Sequence, residues 1–352
     1  MAKYQIIEQD DSLYIPIRYD NFAALDAQVE PPVPWSVLPL HCNIADAVTE
    51  AKGLEAELTQ KLDTMGVHRI GPGPAHQIGY ADKINFPFRV FRGERSLRFN
   101  IMPTRYRFTG QHDAAEVTRQ RIQFEMRCAK RMSEYLRSNG ALEASIEHAR
   151  AAARHHGCPS SFVDFSFNPE IAAFFAHPAF NSTERERGAD VGILYSLGIE
   201  DFEHLFGGLA VWTVPAGGGR DVRYMNIKSV WQIPYKSFDP AKGTIEDATL
   251  AVKVPERLVV KPVSIRTRIV SVIARIAAQE GIFIDGCFED DADDWWSQVL
   301  LWTVLDFASH KSCFLREDFA YENSAAGITT AKLFPPLDPE LAELTRDFGN
   351  CP

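Results

Sequence analysis

In the stretch SSFVDFSFNPEIAAFFA, Asp164 and Ser166 stand two residues apart among Phe162, Phe165 and Phe167. Side chains two apart on a strand face the same way, so a carboxylate and a hydroxyl line one cleft. The alternative is that Asp164 caps a turn or pairs with an arginine while Ser166 fills a tight spot. Either way, a carboxylate among phenylalanines needs a partner. In FRGERSL, Arg92 and Gly93 follow the apolar run NFPFRVF. A guanidinium grips a phosphate through two parallel hydrogen bonds, and a glycine lets a ligand reach the backbone. The plainer reading is a surface ion pair followed by a turn. In HARAAARHHGC, His148 and His155 lie about two helical turns apart, but with Cys158 they match no common zinc spacing. His155 and His156 at a helix C-terminus also complement its dipole, or contact a ligand beside the next loop. ARIAAQEGIFID sets Arg275, Gln279 and Glu280 just before a strand, where Glu280 is either a catalytic carboxylate or a solvated turn residue. EDDADD from Glu289 has no regular ligand spacing and reads as a solvated helix start, and AGGGR lacks the ending of a phosphate-binding loop.

These residues need elements to position them. The segment 44–65 has helical spacing, with Gly66 as its stop, and a strand runs through Phe91. Two helices follow: one over 115–138, with Ile122, Met126 and Met132 as its long apolar residues, and one over 141–156, stopped by Gly157 and Pro159. Asn168-Pro169-Glu170 is a helix start, with a cap, a first-turn proline and an acid at the positive dipole end. VGILYSL, GLAVWTV, SVWQIP, TLAVKV, RLVVKPVSI and GIFID read as strands, and WWSQVLLWTVLDFA reads as an amphipathic helix. Helices early, strands in the middle and helices at the end predict an α+β fold with a mostly antiparallel sheet core and flanking helices. The chain before about Val37 reads as irregular, with PPVP an extended linker. Residues 1–80 are expected to form a linker and helical segment, and 81–345 the main domain.

The chain has 352 residues and a formal net charge of −10. Such a surface disfavours nonspecific binding of nucleic acid through a broad basic face, while a local basic pocket would favour a discrete anionic ligand. The six cysteines are scattered, which predicts reduced thiols and a cytoplasmic setting. MAKYQIIEQDDS has no signal-peptide pattern, and apolar runs such as VLLWTVL are too short to span a bilayer, so no membrane partner is expected.

Four blocks in order, FRGE with a following Arg105, ARHHGCPSSFVDFSFNPEIAAFFA, RIAAQEGIF and GITTAKLFPPLDPELAEL, resemble the FRG domain, a family common in bacteria and phages near defence or toxin genes. The chain departs from the family pattern at Arg154, where the family has Gln, at Ser160-Ser161 in place of Thr-Arg, and at Phe165-Ser166 in place of Trp-Thr. More distantly, the arginine strand, the serine strand and the later Gln/Glu strand are similar to those of ADP-ribosyltransferases. That resemblance implies an ADP-ribosyltransferase-like fold and NAD as substrate. Arg92 would hold the pyrophosphate, with Gly93, Ser166 and His156 on the NAD-binding side. Asp164, Gln279, Glu280 and His155 would be the catalytic set: Gln279 or Glu280 near the ribose hydroxyls, and His155 contacting ribose or activating the acceptor. Family matching favours Gln279 over Glu280, and a glutamine cannot act as a base, which moves the acidic role towards Asp164. The implied protein is a toxin or defence effector that transfers ADP-ribose to a protein or nucleic-acid acceptor, or releases it, with an antitoxin or phage component as partner. The rival is a noncatalytic module recognising a nucleotide or partner through the same cleft. A nuclease using Asp164 and the histidine pair is a third reading. Glu94 and Arg95 carry no role in any of them.

Overall fold

The computed structural model describes residues 6–9, 12–17, 36–64, 89–95, 101–107, 113–141, 145–177, 191–198, 223–226, 230–239, 241–242, 244–253, 257–263, 275, 278–285, 292–293, 295–315, 322–323 and 325–350. In chain order these form β1 (Ile7–Gln9), β2 (Ser12–Ile17), β3 (Ser36–His41), α1 (Ile44–Thr64), β4 (Arg89–Glu94), a 3-10 turn (Thr104–Tyr106), α2 (Ala114–Ser138), α3 (Ile146–Arg154), β5 (Phe162–Ser166) and α4 (Pro169–Ala176). They continue with β6 (Val191–Gly198), β7 (Arg223–Asn226), β8 (Val230–Asp239), β9 (Thr244–Lys253), β10 (Arg257–Val263), β11 (Gly281–Asp285), α5 (Trp295–Ala308), β12 (His310–Leu315), α6 (Thr330–Leu333) and α7 (Pro339–Thr345). PPVP, GPGPAH, GLAVWTV, AGGGR and most of EDDADD lie outside the described residues.

The fold is α+β, built on a mixed sheet. Its central seven strands run β3-β12-β6-β4-β5-β11-β10, with β2 and β1 added beyond β3 and β7 beyond β10. The expected mostly antiparallel core is corrected to a mixed one: β3 and β12 are parallel, pairing Cys313 with Leu40 and Phe314 with His41. Parallel neighbours need a long connection, and here almost the whole domain is inserted between them. The N-terminal stretch read as irregular supplies β1, β2 and the start of β3, whose residues pair antiparallel with one another. The strands β8 and β9 form a separate two-stranded ribbon.

Local chemistry sets the helix ends. Asp113 accepts from the Ala115 and Glu116 amides to start α2. Ser145 and His148 form a reciprocal capping box at α3. Asn168 accepts from the Glu170 amide, with Pro169 in the first turn of α4. On one sheet face, α1 and α4 bury Ala47, Ala51, Ala172, Ala173 and Ala176 against Phe91, Leu194 and Phe314. A second core joins α2 and α3 to the C-terminal Leu341 and Phe348. A third packs Ile171 and Phe174 on Ile328 and Leu333. The helix α5 is not amphipathic as expected, because Gln298, Val299, Leu301, Trp302, Thr303, Leu305 and Asp306 are all buried. No described helix is long and apolar enough to cross a membrane.

Candidate functional site

A strand must give up a neighbour before it can open a cleft. The strand β4 pairs with β6 along its whole length, from Arg89 to Glu94. It pairs with β5 only at Phe91, opposite Ser166. Beyond Phe91 the two strands part, and a cleft of about 410 Å³ opens there. The wall from β4 carries Arg92, Gly93 and Glu94, followed by Arg95, and that from β5 carries Asp164 and Ser166. Arg154, His155 and Gly157 come from the end of α3, Phe175 from α4, Arg107 from just after the 3-10 turn, and Gln279 and Phe334 also line it.

Arg92 bridges the split. Its Nη1 donates to the Asp164 carbonyl at 2.7 Å, and Nε donates to Glu94 Oε1 at 2.9 Å, with Nη2 on the same oxygen. Arg107 also donates to Glu94 Oε1, at 3.2 Å, and to the Met102 carbonyl at 2.9 Å. Burial resists the charge on Glu94, but Arg92 and Arg107 outweigh it and hold the carboxyl below its usual range. Glu94, set aside in the sequence reading, is therefore the counter-ion on which two cleft arginines converge. Its position two residues after Arg92 on a strand was the available signal, since that spacing puts both on one face.

Gly93 has a packing reason to be glycine. A Cβ there would lie 1.8 Å from the Ala172 carbonyl oxygen and 2.7 Å from the Ala176 amide nitrogen. The backbone that approaches so closely is that of α4.

Asp164 keeps its carboxylate in the cleft. Burial favours the neutral acid, yet Arg154 first, then other neighbours including Arg92 and Arg107, hold the carboxyl below its usual value. Arg154 Nη2 lies 3.5 Å from Asp164 Oδ2, and Asp164 Oδ1 has no hydrogen-bond partner among the described residues. His155 is pushed down to about 4, chiefly by burial, and His156 to about 3 for the same reason. Both rings are thus neutral near pH 7. His156 does not line the cleft. His148 is used at the opposite end of α3, where its Nδ1 accepts from the Ser145 amide at 3.2 Å.

The turn after α3 places this wall. Gly157 has φ of +93°. Its amide donates to the Arg154 carbonyl, and the Cys158 amide donates to that of Ala153. This left-handed closure at a helix end suits glycine. Behind it lies a buried charge cluster. Arg105 donates to Glu125 Oε2, Arg150 donates to Glu125 Oε1 at 2.8 Å, and Ser160 Oγ donates to the same oxygen at 3.2 Å. Ser161 Oγ accepts from Arg150 at 2.8 Å. The two serines that depart from the FRG pattern face this cluster and do not line the cleft.

Ser166 and Gln279 are structural partners as well as lining residues. Ser166 Oγ donates to the Gln279 carbonyl at 2.9 Å and accepts from the Asn168 amide at 3.1 Å. Gln279 is buried, and its Nε2 donates to the Leu333 carbonyl at 3.3 Å. Glu280 is exposed with φ of +48°, a left-handed conformation that ends the preceding helical turn. Partial desolvation of its carboxyl by neighbouring groups raises its pKa, although the residue as a whole is exposed, and it does not line the cleft. At the opposite rim, Phe175 and Phe334 meet edge to face at 5.9 Å, and Arg275 lies 5.0 Å over the Phe334 ring. Phe175, Phe334 and Arg275 stand in the FRG-like blocks and Arg107 in none, but their meeting could not be read from the sequence because it joins distant segments.

The lining thus holds the guanidinium groups of Arg92, Arg95, Arg107 and Arg154 against the carboxylates of Glu94 and Asp164. This is a net-positive cleft on a net-negative chain, suited to a compact anion with a polar group beside Asp164. No curated protein and no solved structure matches the chain at a significant level. Residues 88–185 match the model of the FRG domain, which supports the FRG family for the part of the chain that carries Arg92, Glu94, Arg107, Arg154, His155, Asp164 and Ser166.

Proposed function

We propose that the cleft binds NAD in an ADP-ribosyltransferase-like manner and transfers or releases ADP-ribose, as the effector of a toxin or defence system. The observation that carries this reading is the meeting of an arginine-rich wall with an ionised Asp164 and a neutral His155 in one cleft. In the reaction, the bond between nicotinamide and ribose breaks and nicotinamide leaves with the electron pair. The ribose carbon becomes oxocarbenium-like, and a nearby carboxylate stabilises that charge. Water or a nucleophile of the acceptor then adds to the ribose carbon, and neutral His155 takes its proton. Asp164 fits the carboxylate role, because Gln279 is an amide and Glu280 lies outside the cleft.

The test is release of nicotinamide from labelled NAD by the purified chain, with and without bacterial lysate. Asp164→Asn is expected to lower the turnover rate by about a hundredfold while the protein still binds ADP-ribose. No NAD binding, no nicotinamide release and no label transfer by the wild-type chain would refute the proposal. A second reading, a noncatalytic nucleotide-recognition module, is favoured by Ser166 and Gln279 being spent on internal hydrogen bonds. It expects saturable binding without turnover in both wild type and Asp164→Asn.

A further inference from the structure

We infer that Arg154, and not Arg92, is the residue that grips the anionic group of the ligand in this cleft. The identity of the ligand as a dinucleotide rests on the function proposed above, whereas the anion-binding role of Arg154 does not.

The two arginines differ in what the protein already asks of them. Arg92 has all three guanidinium nitrogens engaged: Nε and Nη2 on Glu94, and Nη1 on the Asp164 carbonyl. Its charge faces a buried carboxylate that it shares with Arg107. Extracting such a pair for a ligand would leave Glu94 buried with one partner fewer, which costs more than the new contact returns. Arg92 therefore acts as the brace that ties β4 to β5 across the split.

Arg154 is committed far less. Its Nε makes no hydrogen bond among the described residues. Its one ion pair among the described residues, to Asp164 Oδ2, spans 3.5 Å, longer than a good charge-assisted hydrogen bond. The side chain is 17% exposed, so the group is sheltered and still reachable. Its backbone is fixed: it is the last residue of α3, held by the Gly157 turn, and a helix C-terminus favours a cation. The neutral ring of His155 beside it adds no competing charge.

The ligand class follows from the neighbours. A guanidinium whose Nε has no hydrogen-bond partner among the described residues selects a phosphate, pyrophosphate or carboxylate oxygen. Asp164 next to it repels a bare anion and welcomes a hydroxyl, since its Oδ1 lacks a partner among the described residues. Phe175 and Phe334 line the rim and give a flat group an apolar surface to lie against. A phosphate with a sugar hydroxyl close by, and a base beyond it, satisfies all of these at once.

The test is calorimetric titration of the full chain with inorganic pyrophosphate and, separately, with ADP-ribose, alongside thermal melting. Arg154→Gln is expected to melt close to wild type and to bind both probes about tenfold to a hundredfold more weakly. Should that variant melt early, Arg154→Lys keeps the charge and is expected to restore the melting temperature while recovering only part of the pyrophosphate affinity, since an ammonium lacks the planar fork. Asp164→Asn removes the negative charge facing Arg154 and is expected to bind pyrophosphate about two- to fivefold more tightly. A stable Arg154→Gln with wild-type affinity for both probes overturns the inference, and so does a wild-type chain that binds neither. Pyrophosphate binding that depends on Arg154 without any NAD turnover or NAD binding would sink the proposed function and leave this inference standing. Turnover and ADP-ribose binding indifferent to Arg154→Gln would do the reverse.

Discussion

At the scale of single residues, the cleft separates groups by what their surroundings permit. His155 and His156 are both held neutral, at about 4 and about 3, because burial removes the water that would solvate their charge. An unfolded chain would take up these protons at the ordinary value of 6.5. Between pH 6.5 and about 4 the unfolded state thus binds more protons than the native state, so stability is full above that window and falls as pH drops through it. Urea midpoints at pH 7, 6 and 5 should decline in that order. In His156→Gln the decline should be shallower, and an equal slope would show that this ring is not held neutral by the fold. Among the residues singled out in the sequence, Asp164, Arg92, Ser166, His155 and Gln279 do meet in one cleft. Their types and spacing were legible, but their duties were not, since a hydroxyl or guanidinium shows its partners only once the chain has closed.

At the scale of elements, the short turns decide what the strands present. The turn before β11 holds Gln279 inward and Glu280 outward, through a left-handed residue at Glu280. Two adjacent residues cannot both face the cleft from that geometry, and the inward place goes to Gln279, which the family matching favoured. The inward place is built for an amide, whose Nε2 donates to the Leu333 carbonyl. Gln279→Glu would set a carboxylate against that carbonyl in a buried position. The expected cost is about 2 kcal/mol of stability, read from the urea midpoint. A neutral result would mean the site accepts the acid that the ADP-ribosyltransferase resemblance calls for. The helix α2 shows a similar limit of pattern reading. Met126 is 39% exposed while its neighbour Glu125 is fully buried. Hydropathy assigns those two the other way round, and only the arrival of Arg105 and Arg150 reverses them.

At the scale of the whole molecule, that glutamate is the point where distant segments are tied together. Arg105 in the 3-10 turn, Arg150 on α3 and Ser160 before β5 all bond Glu125. The cluster lies behind the cleft and fixes the segments that carry Arg107, Arg154 and Asp164. Glu125→Gln leaves two buried guanidinium groups without their carboxylate, and a loss of about 3–5 kcal/mol is expected. Denaturant titration checks it. A loss well below 1 kcal/mol would show that the cluster is not what holds these segments. A whole-molecule arrangement also explains the mixed sheet: β3 and β12 are parallel because chain segments from opposite ends of the protein become neighbours.

By itself the sequence determined the α+β class, most element positions from α1 onward, the helix caps at Asn168 and Gly157, the anionic character of the chain and the FRG-like stretch. Those follow from local periodicity, capping chemistry and composition, which need no distant partner. Only the tertiary structure decided that β4 and β5 part beyond Phe91, that Glu94 pairs with both Arg92 and Arg107, that Gly93 is emptied for α4, and that Arg154 Nε is left without a hydrogen bond among the described residues. Each of these depends on groups far apart in the chain competing for the same hydrogen bonds and space, and that competition is settled only when the segments pack.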